Sequence, residues 1–124
     1  MNLTLLGTGN ATVTHCYNTC FVLHESGQYL LVDGGGGNGL LCQLEKAHLR
    51  WQDMRTVFVT HKHMDHLLGI LWLMRMMCQS WRRGTYEAKP LSTVMMKSFP
   101  CCARWERLCC PRKTVLSSMT VFIL

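Results

Sequence analysis

His61, His63, Asp65 and His66 stand within six residues, in the run His61-Lys62-His63-Met64-Asp65-His66 that directly follows the apolar stretch Val57-Phe58-Val59-Thr60. Imidazole nitrogen and carboxylate oxygen are donors that zinc, manganese and iron accept. Residues two apart on extended chain point to the same side, so His61 and His63 are placed to close on one ion. Asp65 and His66 follow where the chain enters a helix and face a second. From the chain's own content of His and Asp, such a cluster arises by chance with a probability of about 3 × 10⁻⁴. That rarity favours metal binding over a solvated loop whose histidines merely cap the helix.

The surrounding residues must position this cluster. Residues 2 to 6 read as a strand stopped by Gly7-Thr8-Gly9. Thr19 to Leu23 and Gln28 to Val32 flank Glu25-Ser26-Gly27 in the pattern of a hairpin. Asp33 then opens the turn Gly34-Gly35-Gly36-Gly37-Asn38-Gly39, where glycine permits either a sharp reversal or a close backbone approach. Leu40, Leu41, Leu44, Ala47 and His48 recur at helical spacing. Val57 to Thr60 is a buried-type strand, and a nearly all-apolar helix runs on from the cluster to about Cys78. The order β, ββ, α, β, loop, α argues for a layered α/β protein.

Composition limits the class. The chain has 124 residues, 48% hydrophobic and 16% charged, which fits one compact domain and excludes a disordered chain. Leu67 to Met74 is the longest uncharged apolar run, far short of the ~20 residues a membrane span needs. The N-terminus carries no basic residue ahead of its apolar stretch, so a secretory signal is not expected. The reading is therefore a cytoplasmic protein with its eight cysteines reduced. The net charge of +6 lies almost wholly in the last third and does not by itself argue for a nucleic-acid partner.

Several other features read as structural. Gly34-x-Gly36-x-x-Gly39 with Asp53 fits a dinucleotide fingerprint only because four glycines in a row satisfy many patterns. His15 and Cys16 read as loop residues and Cys20 as a buried strand thiol. His24 and His48 read as surface positions without partners. Trp72, Met74, Met76 and Met77 read as core filler, and Arg82-Arg83 as a solvated helix end.

The pattern H-x-H-x-D-H after a hydrophobic strand resembles the metallo-β-lactamase superfamily of αββα sandwiches. Leu6-Gly7-Thr8-Gly9, and a strand ending in Asp33-Gly34, are similar to the ribonuclease Z branch, and the match covers residues 2 to 80. The resemblance implies a metal-dependent hydrolase in which two ions, zinc above all, activate water for attack on phosphorus or a carbonyl carbon. His61 and His63 would hold the first ion, Asp65 and His66 the second, with Asp65 also orienting the attacking water. Asp33 would support the ligands from the strand end or serve as a plain turn carboxylate. The implied substrate is precursor tRNA, with a thioester, lactam or small phosphodiester as the enzyme alternative, and a homodimer is implied as well. The branch usually carries Glu and Thr-Gln in the second turn, where this chain has Gly36 and Asn38-Gly39.

A dinuclear site of that kind needs further His and Asp downstream, and after His66 this chain has neither. The expectation is therefore the N-terminal half of a sandwich over residues 1–84, whose apolar layer lacks a partner, followed by a non-matching tail over residues 85–124. The genetic code offers an explanation for the tail. Read one base earlier, Met95-Met96 forces Asp, Met96-Lys97 forces Glu, Trp105-Glu106 forces Gly, and each Cys-Cys pair forces Leu. Ala88 to Phe99 then reads E-T-V-I-Y-G-H-D-E-V-I with ordinary wobble choices, a strand, a turn and a helix start. A one-base frameshift near Thr85 to Lys89 is the favoured explanation, against a genuine short ending. A catalytically inactive fragment is the alternative from outside the enzymes.

Overall fold

A computed structural model of the chain describes residues 1–86 and 120–123. The elements are β1 (Asn2–Gly7), β2 (Cys20–Glu25), β3 (Gln28–Val32), α1 (Gly39–Lys46), β4 (Thr56–Val59), α2 (Met64–Arg82) and β5 (Thr120–Ile123), with a 3₁₀ turn over Trp51–Asp53. The strands form one sheet in the order β1-β2-β3-β4-β5. The first three pair antiparallel, and β3, β4 and β5 run parallel.

Local chemistry explains each boundary. The β2–β3 hairpin closes through Ser26 and Gly27, both at positive φ (50° and 78°), the backbone that matches the right-handed twist of the flanking strands. After β3 the sheet direction changes: α1 carries the chain back so that β4 lies parallel to β3. Helix α2 runs four residues beyond the expected Cys78. It stops only where Gly84 takes φ 69° and the Thr85 and Gly84 N–H groups donate to Ser80 and Trp81 carbonyls.

Both helices pack on one face of the sheet. Val22, Leu31, Val57 and Val59 face Leu40, Leu44, Ile70 and Leu73 in a core where each is 1% exposed or less. The opposite face is also apolar. The pairings Leu3 with Leu23, Leu5 with Phe21, Leu23 with Leu30 and Val32 with Phe58 put these side chains on a single surface. Of them only Val32 is buried, and Leu3 and Leu5 are 59% and 60% exposed. A sheet apolar on both faces is an inner layer. The described residues supply its helical cover. The expected out-of-frame segment lies outside the described residues except for Thr85, Tyr86 and the strand β5. Among the described residues no helix is long and apolar enough to cross a membrane.

Two structural readings need correction. Trp72 is 41% exposed, because on α2 it falls on the side away from the sheet, where it lies under the Arg75 guanidinium 5.8 Å from its ring centre. His24 has partners: it lies 3.4 Å from Thr4 Oγ1 across the strand pair and stacks on Tyr29 at 5.6 Å. Met74 and Met77 are buried as core filler should be.

Candidate metal centre

The cluster sits where three elements converge: the end of β4, the first turn of α2, and the turn after β3. Asp33 directly follows β3 with φ 59°, a left-handed backbone that Asp tolerates better than most residues. Its N–H donates to the Phe58 carbonyl at 2.8 Å, which fixes the turn against β4. This conformation aims a carboxylate that is 5% exposed across the strand ends.

That carboxylate is satisfied by three donors. The Thr60 N–H donates to Oδ1 at 2.8 Å, and the Thr60 hydroxyl donates to Oδ2 at 2.8 Å. His66 Nδ1 lies 2.8 Å from Oδ2. An ionised carboxylate only accepts, so the consistent tautomer of His66 carries its proton on Nδ1 and leaves Nε2 free. Thr60 does the same for His61. With its own proton given to Asp33, the Thr60 oxygen accepts from His61 Nδ1 at 3.0 Å, leaving His61 Nε2 unprotonated. Asp33 and Thr60 together therefore fix two imidazoles so that each presents Nε2.

The presented atoms pair off. His61 Nε2 lies 2.9 Å from His63 Nδ1, and His66 Nε2 lies 3.3 Å from Asp65 Oδ2. Two ligands held about 2.0–2.1 Å from one tetrahedral ion stand roughly 3.4 Å apart, so both spacings suit a shared cation. The rings of His61 and His66 lie 4.1 Å apart, which makes the two pairs neighbours. By donor chemistry and spacing these residues fit metal, two by two. No group of three or more His, Cys, Asp or Glu able to hold an ion occurs among the described residues. Burial is graded across the cluster: His63 is exposed, while the side chains of His66 and Asp65 are 18% and 19% exposed.

Thr60, Tyr17 and Asn18 escape a reading of sequence alone. Thr60 looks like the last residue of a strand; only its contacts with Asp33 and with His61, the next residue, give it a role. Tyr17 and Asn18 lie in the loop between β1 and β2 and reach the glycine turn only in three dimensions. His15 and Cys16 are exposed loop residues, and Cys20 is fully buried on β2 with its thiol pushed up to about 12 by desolvation and by the nearby Asp33 carboxylate.

The chain is similar to several known proteins. The family model described as Anti-Pycsar protein Apyc1 matches residues 1–90. The ribonuclease Z of Borrelia duttonii (strain Ly) is 31% identical over 94 residues, which is 75% of this chain and 28% of that protein. The ribonuclease Z of Nitrosopumilus maritimus (strain SCM1) is 34% identical over 88 residues, 70% of this chain and 29% of that protein. Among solved structures, the short form of human tRNase Z superimposes with a TM-score of 0.56 at 34% identity, covering 61% of this chain and 29% of that one. The chain thus spans under a third of the length of the relatives it matches.

Proposed function

The chain belongs to the Anti-Pycsar protein Apyc1 family, in the metallo-β-lactamase fold and near its ribonuclease Z branch, and on that premise we propose that it is the N-terminal part of a metal-dependent phosphodiesterase. By lineage it is a hydrolase. The observation that carries the reading is the pairing of His61 Nε2 with His63 Nδ1 and of His66 Nε2 with Asp65 Oδ2, braced by Asp33 and Thr60.

His61 and His63 hold the first ion and Asp65 and His66 the second, with zinc as the leading metal and manganese or iron admitted by the same donors. Such ions, when bound, supply an activated water and stabilise the negative charge that develops on the substrate. Asp65 keeps one carboxylate oxygen beyond its contact with His66, and that oxygen orients the attacking water. Asp33 Oδ2, 2.8 Å from His66 Nδ1, holds that imidazole in the tautomer with Nε2 free. Two donors per ion fall below the three protein ligands usual at a catalytic zinc. The frameshift proposal accounts for the shortfall: residues 85–124 stand in place of the in-frame segment that carried the remaining ligands and the second sheet. Sequencing the coding DNA across Thr85 to Lys89 tests it, and an intact frame there overturns it.

The leading substrate is precursor tRNA, in the cytoplasm, with a homodimer as the working assembly. One observation favours a second reading, a hydrolase of small phosphodiesters, thioesters or lactams. Gly36 and Asn38-Gly39 lack the side chains expected of the ribonuclease Z turn, and the matched family carries a different name. Equilibrium dialysis of the 124-residue chain against zinc, followed by assays on precursor tRNA and on a small phosphodiester, separates the readings. Tight binding with tRNA cleavage supports the first, and activity on the small ester alone supports the second. Weak binding without either activity marks an inactive fragment.

A further inference from the structure

The glycine turn is held between two partners, and only one of them belongs to the metal centre. On the α2 side the Gly34 N–H donates to the His66 carbonyl at 2.7 Å, and the Gly69 N–H donates to the Gly35 carbonyl at 3.0 Å. On the other side stands the loop between β1 and β2. The Tyr17 hydroxyl lies 2.8 Å from the carbonyl oxygens of both Gly34 and Gly37, and it accepts the Gly37 N–H at 3.3 Å. Asn18 Oδ1 accepts the Gly36 N–H at 3.1 Å, while its Nδ2 donates to the Asn10 carbonyl at 2.8 Å.

These contacts occupy the space that side chains in the turn would need. A Cβ added at Gly39 would lie 2.7 Å from the Tyr17 ring, and one at Gly35 would run into the same ring. A Cβ at Gly36 would lie 2.6 Å from Asn18 Oδ1 and 4.0 Å from the Asp65 Cα. Gly35, Gly36 and Gly39 are therefore matched to Tyr17 and Asn18. Burial raises the Tyr17 phenol to about 12, so the hydroxyl remains a donor throughout the neutral range.

The geometry points to Tyr17 and Asn18 as positioning residues for the Asp65–His66 half of the ligand set, acting through the glycine turn. Asp33 precedes that turn, and His66 and Gly69 are bonded to it. A shift of the turn therefore moves the Asp33 carboxylate relative to the His66 ring. The inference rests on the metal-binding reading for its consequence, though not for its geometry.

Two measurements on the full chain test it. Imidazole ¹⁵N spectra report the tautomer of His66, and competition with a chelator reports zinc affinity. In Tyr17→Phe, His66 is expected to lose its fixed Nδ1-protonated form and average between tautomers, with zinc bound about tenfold more weakly. Asn18→Ser should shift both in the same direction by less, and it serves where Tyr17→Phe does not fold. A variant that melts earlier but keeps the His66 pattern and the zinc affinity overturns the proposal, because the two residues would then be merely structural. If the parent chain binds no zinc, the metal reading fails, and the His66 spectra still decide the positioning role.

Discussion

His66 and His63 stand three residues apart and occupy opposite conditions. His66 is mostly buried, its Nδ1 bonded to a carboxylate that is itself held by Thr60 and seated on a turn locked to α2. His63 is exposed, and among the described residues its side-chain contacts are to His61. The sheet repeats the contrast on a larger scale, with one face sealed by α1 and α2 and the other carrying Leu3 and Leu5 in solvent. The finished side of the sheet draws on α1, α2 and Tyr86, and the finished ligand on Asp33, Thr60 and the glycine turn. Preorganisation here follows the chain segment that supplies it: a ligand is rigid where its supporting residues lie within the same half of the fold.

The comparison breaks most completely at Gly69. A Cβ there would sit on the Gly34 carbonyl oxygen, a backbone atom that cannot yield without moving α2 off the turn. Gly69→Val should cost more than about 3 kcal/mol. Circular dichroism at 25 °C should show loss of the folded state, and a cooperative melt close to the parent's would break the account of how the turn and helix are joined.

The two sheet faces give the next contrast. Leu31, 0% exposed against the helices, should cost roughly 2–5 kcal/mol when cut to Ala. Leu5→Ala on the open face should stay within about 0.5 kcal/mol, since little is buried there to lose. Urea titrations of both variants measure the difference directly. Equal costs would mean that the open face is covered in solution.

The fold of the first two-thirds is legible because its signals are local. The apolar runs flanking Glu25-Ser26-Gly27 fix the hairpin, leucine spacing fixes α1, and the buried run before His61 fixes β4, each within a residue or two. The helix end at Arg82 is less legible, because the apolar pattern fades before Gly84 stops the helix. The four clustered donors can be read from their spacing. Thr60, Tyr17 and Asn18 cannot, since a hydroxyl or amide serving a distant turn leaves no periodic trace. The exposure of Trp72 is hidden for a related reason: a helix with apolar residues on every side does not declare which of them faces the sheet.

Asp33→Asn tests the braced half without removing bulk. The carboxylate accepts from three donors, and an amide in its place turns N–H groups toward one of them. The loss should be about 1–3 kcal/mol of stability, the usual cost of leaving a buried polar group unmatched. It should be joined by a 10- to 100-fold drop in zinc affinity. Calorimetry and chelator competition measure the two parts separately. A variant that keeps its zinc affinity would mean that His66 needs no partner to present Nε2.

His63→Ala should be the mildest change to the fold and a clear one to the ligand set. The side chain is exposed and meets only His61 among the described residues, so stability should move by less than about 0.5 kcal/mol. Zinc bound with His61 should weaken, because one imidazole remains where two faced each other at 2.9 Å. His66→Ala should differ in kind: it leaves Asp33 buried without its imidazole partner, and so lowers stability and metal affinity together. Thermal melts of the two alanine variants with and without zinc therefore read out the asymmetry of the centre. A His63→Ala variant that destabilises the metal-free chain as much as His66→Ala would mean that both halves are anchored alike.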